Sequence, residues 1–122
     1  MKKVLVVDDE PAITRLVKLN LEATGAYEVL TENKASNAVS AARTFAPDLM
    51  LLDVMMPDML GSDVAAAFND DPALRHIKIV FLTAMLKKSE ESTTGERGGK
   101  PRMLAKPITA AALVAAIEDE LR

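Results

Sequence analysis

The chain alternates between two kinds of segment, and that alternation is its strongest constraint. Short runs rich in Val, Ile and Leu stand at Val4–Val7, Tyr27–Leu30, Leu49–Leu52, Ile77–Leu82 and Met103–Ala105. Several of them are continuously apolar, which suits strands buried on both faces. Longer segments with helical spacing follow each run. Strands alternating with helices imply a parallel sheet covered by helices on both faces, with right-handed crossovers. The fold class expected is α/β, a doubly wound (βα)5 sandwich around a five-stranded parallel sheet.

The first helix should start near Pro11, a good first-turn residue, and stop near Gly25. Ile13, Leu16, Val17, Asn20 and Leu21 would share one side. The second covers about Ala35 to Phe45 and ends before Pro47. The third covers about Ser62 to Asn69, with Ser62 as its cap. The last runs from about Thr109 to Leu121, with a core stripe of Ala110, Leu113, Val114, Ile117 and Leu121. Ala111, Ala112, Ala115 and Ala116 would occupy its remaining surface. Between strands four and five lies AMLKKSEESTTGERGGK, whose three glycines and two threonines suit a short helix or a loop. The 122 residues read as one domain, residues 1–122. Hydrophobic residues make up 49 %, enough for a packed core, and a net charge of −3 gives no footprint for nucleic acid. There are no cysteines, which fits a reducing compartment. The apolar start ends at Val7, too short for a signal core or a membrane span, so a cytoplasmic protein is expected.

The polar residues at the strand ends carry the chemistry. VLVV ends in Asp8 and Asp9, LMLL in Asp53, IKIVFL in Thr83, and MLA in Lys106 followed by Pro107. In an open α/β sheet these positions share one edge, beyond the carboxyl ends of the strands, where such folds place ligands. Three carboxylates there would repel one another unless a cation sat between them. Hard oxygen donors of this kind suit Mg²⁺. A lysine and a hydroxyl suit phosphoryl oxygens, and a carboxylate can accept a phosphoryl group covalently. Each residue alone has a plainer reading: Asp8 and Asp9 as favourable charges at a helix start, Asp53 as a solvated strand end, Lys-Pro as an ordinary loop. Their joint occurrence at four strand ends is what those readings explain badly.

Taken together, VLVVDDEP, PDLMLLDVMMPDMLG, IVFLTA and AKP resemble the motifs of the response-regulator receiver domain, the phosphoacceptor module of bacterial two-component signalling. The resemblance spans the whole chain and implies a flavodoxin-like strand order of 2-1-3-4-5. It further implies that Asp53 is phosphorylated. Asp8 and Asp9 would hold Mg²⁺ with Asp53 and the backbone carbonyl of Met55. Lys106 would pair with the phosphoryl group, and Thr83 would sense it. The donor would be a phosphohistidine on a sensor histidine kinase or a histidine phosphotransfer protein. The switching surface would be the face of the fourth helix, fifth strand and last helix. Such a domain is a signalling phosphoacceptor, not an enzyme beyond its own phosphotransfer and dephosphorylation. Whether it acts as a homodimer, and whether an output domain follows it, stay open.

Two departures from the family pattern stand out. Met103 takes a position that is often aromatic in receivers, three residues before the lysine, which implies weaker or differently built switching. Met55 and Met85 flank the site where the family tunes water access, and two apolar residues there imply a long-lived phosphoryl group, unless they only fill gaps. His76 lies before strand four, on the opposite edge, and reads as a surface residue. Among rivals, a haloacid-dehalogenase-like phosphatase would need an aspartate at Met55 and a cap domain. A dinucleotide-binding fold would need a G-x-G-x-x-G turn where VVDDEP stands. A pseudo-receiver that binds partners without phosphorylation is the remaining alternative.

Overall fold

The computed structural model describes residues 1–84, 102–106 and 108–122. Residues 85–101, which hold all but the first residue of the segment expected as a short helix or loop and include Met85, lie outside the description, as does Pro107. The strands are β1 (Lys2–Val7), β2 (Tyr27–Glu32), β3 (Leu49–Asp53), β4 (Lys78–Thr83) and β5 (Arg102–Ala105). They pair in parallel in the order β2-β1-β3-β4-β5, as the resemblance implied. The helices are α1 (Pro11–Glu22), α2 (Ala38–Phe45), α3 (Gly61–Asp70) and α4 (Ala110–Leu121), and a 3₁₀ turn at Ala35–Asn37 leads into α2.

Strand alternation divides the core. Val4, Val6, Leu49, Leu51, Val80, Leu82 and Leu104 face one side, where Val17 and Leu21 of α1 and Leu113 and Ile117 of α4 cover them. Leu5, Val7, Met50, Leu52 and Phe81 face the other, under Ala38 and Ala42 of α2 and Val64 and Phe68 of α3. β1 and β3 are therefore apolar on both faces, which is why their sequences run without polar interruption.

Helix ends follow local chemistry. Pro11 opens α1. α2 stops at Ala46, which adopts a left-handed conformation (φ 54°) and returns its N–H to the Ala42 carbonyl at 2.8 Å. Pro47 then bars continuation. Thr109 caps α4, its hydroxyl accepting from the Ala112 N–H at 3.1 Å. Thr109→Ala should cost about 1 kcal/mol, read as a lower urea midpoint with an unchanged slope. The free edge of β2 is blunted by α1: Lys18 Nζ donates to the Val29 carbonyl at 2.8 Å, and the Val29 N–H donates to Glu22 at 3.2 Å.

Three sequence expectations are corrected. Leu16 is 51 % exposed, because α1 turns Thr14, Val17 and Leu21 inward and leaves Leu16 on its outer flank. Ser62 does not cap α3, which starts one residue earlier with Leu60 as the cap residue. The Gly61 N–H bonds the Val54 carbonyl at 2.9 Å and draws the helix start towards β3. On α4 the buried residues are Leu113, Ala116 and Ile117, while Ala110 is exposed. Leu113, Val114, Ile117 and Leu121 of the expected stripe do pack on the core, and Ala116 joins them in place of Ala110.

Candidate functional site

The order in which strands are added switches side between the parallel strands β1 and β3, and the crevice beyond their carboxyl ends is the natural ligand position in such a fold. Asp8 follows β1, Asp53 is the last residue of β3, Thr83 the last of β4, and Lys106 follows β5. Alternation explains the meeting of three of them. Asp8 continues the set Val4, Val6; Asp53 continues Leu49, Leu51; Lys106 continues Leu104. Each side chain is next in line on the face covered by α1 and α4.

The geometry is tight. Asp8, Asp9 and Asp53 each offer a carboxylate oxygen, and these oxygens lie within 4.8 Å of one another. Asp8 and Asp53 are buried and Asp9 is more open. Lys106 Nζ lies 2.6 Å from Asp8 Oδ2, 3.3 Å from Asp53 Oδ1 and 3.6 Å from Glu10 Oε1. Its contact with Asp53 is a hydrogen bond. Asp8 Oδ2 is fully buried and faces the ammonium at that short distance as an ion pair. Thr83 is buried, and its carbonyl accepts the Lys106 N–H at 2.9 Å, which locks the lysine's backbone to the end of β4.

One ammonium serves several carboxylates, and the charges respond unequally. Burial pushes the Asp53 carboxyl from 3.8 up to about 6, the Asp8 charge adds to this, and Lys106 pulls the other way. For Lys106, burial works against the charged form, but contacts with Asp8 and Asp53 outweigh it and hold the ammonium above its ordinary value. The lysine has more than one anion, whereas Asp53 has only a share of a cation. The pocket is short of positive charge. A hard divalent cation among these oxygens fits that deficit.

The loop after Asp53 approaches closely. A Cβ on Gly61 would stand 2.5 Å from the Asp53 carbonyl oxygen, so only glycine fits there without displacing β3's end. Met55 is 60 % exposed and Met56 is buried in the α2/α3-side core. Met103, half-buried, pairs across from Phe81 and packs on that same side. His76 is exposed beside a small cavity at the far end of the sheet, away from the carboxylates.

Residues 4–118 match the family model described as the response regulator receiver domain. The chain belongs to that family. Among curated relatives, this receiver domain is 32 % identical over 120 residues to the polar-differentiation response regulator DivK of Brucella anthropi, covering 98 % of this chain and 96 % of the relative. It is 38 % identical over 120 residues to the response regulator PleD of Caulobacter vibrioides, covering 98 % of this chain but 26 % of that longer protein. Among solved structures, the chemotaxis protein CheY4 of Vibrio cholerae superposes with a TM-score of 0.84 at 29 % identity, covering 99 % of each chain. Receiver domains are modules of two-component signalling, and that is the class of this one. Among the described residues no helix is long and apolar enough to cross a membrane.

Sequence reasoning did not single out Glu10, the third carboxylate near Lys106, nor Asn33 and Thr14, which hold the loop of Asp8 from behind. Glu10 was within reach of the same rule, since it directly follows Asp9 on the same strand-end loop.

Proposed function

We propose that residues 1–122 form one cytoplasmic receiver domain that accepts a phosphoryl group on Asp53. The observation that carries this is the placement of Lys106 Nζ at 3.3 Å from Asp53, with the carboxylate oxygens of Asp8, Asp9 and Asp53 within 4.8 Å of one another. A carboxylate oxygen of Asp53 forms the new O–P bond while the P–N bond to the donor's imidazole breaks, the electron pair leaving with the nitrogen. Asp8, Asp9, Asp53 and the Met55 carbonyl hold Mg²⁺, which when bound supplies positive charge to the phosphoryl oxygens. Lys106 exchanges its contact with Asp53 for one with the phosphoryl group, and the Thr83 hydroxyl turns towards it. Water later cleaves the acyl phosphate and restores the carboxylate.

The donor is a sensor histidine kinase or a histidine phosphotransfer protein. Leu16 and Leu19 of α1, 51 % and 62 % exposed, stand on the helix that begins just after the acidic loop and offer it an apolar contact. The output is read on the face of β5, α4 and the segment before β5. Met103 replaces an aromatic ring there, so the change relayed from Thr83 is carried by a flexible thioether chain.

Incubation with Mg²⁺ and a small phosphodonor such as acetyl phosphate should add one phosphoryl group by intact mass. The addition should disappear in Asp53→Asn and on removal of Mg²⁺ by a chelator. A folded protein that gains no mass would instead be the partner-binding pseudo-receiver.

A further inference from the structure

The β1–α1 loop that carries Asp8, Asp9 and Glu10 is gripped from the end of β2. The Asp8 N–H donates to the Glu32 carbonyl at 3.1 Å. The next residue takes the other side of the same peptide segment: Asn33 Nδ2 donates to the Asp8 carbonyl at 2.8 Å. The amide's second hydrogen goes to Thr14 Oγ1 at 3.1 Å. Thr14 is 3 % exposed, and its hydroxyl donates in turn to the Pro11 carbonyl at 3.1 Å. Asp8, Thr14 and Pro11 are thereby tied to one side chain from the connection that follows β2, with every donor of that side chain used.

The same connection holds the second loop of the pocket. Asp58, five residues beyond Asp53, accepts the N–H groups of Ala35 and Ser36 at 3.3 and 3.0 Å. Residues 32–36 thus touch both loops that present carboxylates, although none of them reaches into the pocket. We infer that Asn33 is a positioning residue for the acidic pocket, and that the β2–α2 connection braces the Asp8 loop and the Asp53 loop in fixed relation. This rests on the reading of Asp8, Asp9 and Asp53 as a Mg²⁺ site. Ligand carboxylates separated by a fixed distance bind a small, geometrically demanding cation better than loose ones.

The test is Mg²⁺ titration of the full chain, followed by calorimetry and by backbone amide shifts of residues 8–10. Asn33→Ala should remain folded by circular dichroism and bind Mg²⁺ about tenfold more weakly than the wild type. Thr14→Val removes the hydroxyl that Asn33 meets and should weaken binding in the same direction, whereas Thr14→Ser should restore it. That rescue separates placement of the loop from general loss of packing. If Asn33→Ala does not fold, the Thr14→Val and Thr14→Ser pair, measured in the cold, decides. Wild-type affinity in both Asn33→Ala and Thr14→Val overturns the role of Asn33 and leaves the Mg²⁺ site standing. A wild type that binds no Mg²⁺ overturns the site and the brace with it.

Discussion

In metal-free buffer near neutral pH, Asp53→Asn should unfold at a higher urea concentration than the wild type. Asp53 is 5 % exposed and shares Lys106 with Asp8, so its charge is poorly compensated. Its carboxyl rises from 3.8 to about 6 on folding, first through burial and then through Asp8. A raised carboxyl means that the native state holds a proton that the unfolded chain has already released. Above about pH 6 both states are ionised, and the native state bears the full penalty of a buried charge. As pH falls through that value the native state takes up its proton first, and the penalty fades until both states are protonated. A rise of this size corresponds to at most about 3 kcal/mol; solvent at the pocket mouth reduces the expected gain to about 1–2 kcal/mol. The advantage of asparagine should therefore be largest above pH 6 and vanish in acid. Mg²⁺ should narrow it by stabilising the wild type through mass action. A variant less stable than the wild type in chelator at neutral pH, or a gain that does not change with pH, would sink this account.

What could be read from the sequence follows from what each residue must do alone. β1 and β3 were legible because burial on both faces leaves no room for polar residues, so a continuous apolar run is itself the signature. Asp8, Asp53, Thr83 and Lys106 were legible because a polar residue closing such a run marks the strand's exit. The two ends Asp53 and Thr83 are in fact the last residues of their strands. The same rule applied to β2 points to Glu32 and Asn33, yet an uncharged amide just past an edge strand carries no visible chemistry until its bonds to Asp8 and Thr14 are seen.

Other features depend on how elements pack and are not local. The phase of α1 and α4 against the sheet decides that Leu16 is outside and Ala116 inside, and helical periodicity fixes a stripe only to within a residue on either side. Arg102 looks like a surface residue in sequence. It is 4 % exposed because α4 crosses the start of β5 and brings Glu120 to 3.1 Å of its Nε and Asp119 to its Nη2. Gly61 matched a motif, but the reason for glycine, a carbonyl where a Cβ would be, exists only in three dimensions.

Lys106→Met should move two measurements in opposite directions. Methionine keeps the unbranched apolar stem of lysine as far as the ε carbon and drops the ammonium, so the site loses charge with little loss of packing. The lysine head group lies between Asp8 at 2.6 Å and Asp53 at 3.3 Å, and its removal leaves buried carboxylates facing one another. Metal-free stability should fall by about 3 kcal/mol, the scale seen when one partner of a buried ion pair is removed. Mg²⁺ affinity should rise, by roughly tenfold, because an ammonium no longer competes with a divalent cation for the same oxygens. Saturating Mg²⁺ should then recover much of the lost stability, while acceptance of a phosphoryl group stays impaired for want of the cation that faces it. Simple misfolding would lower stability and affinity together. A variant that binds Mg²⁺ more weakly than the wild type would show that Lys106 organises the carboxylates rather than competing for them.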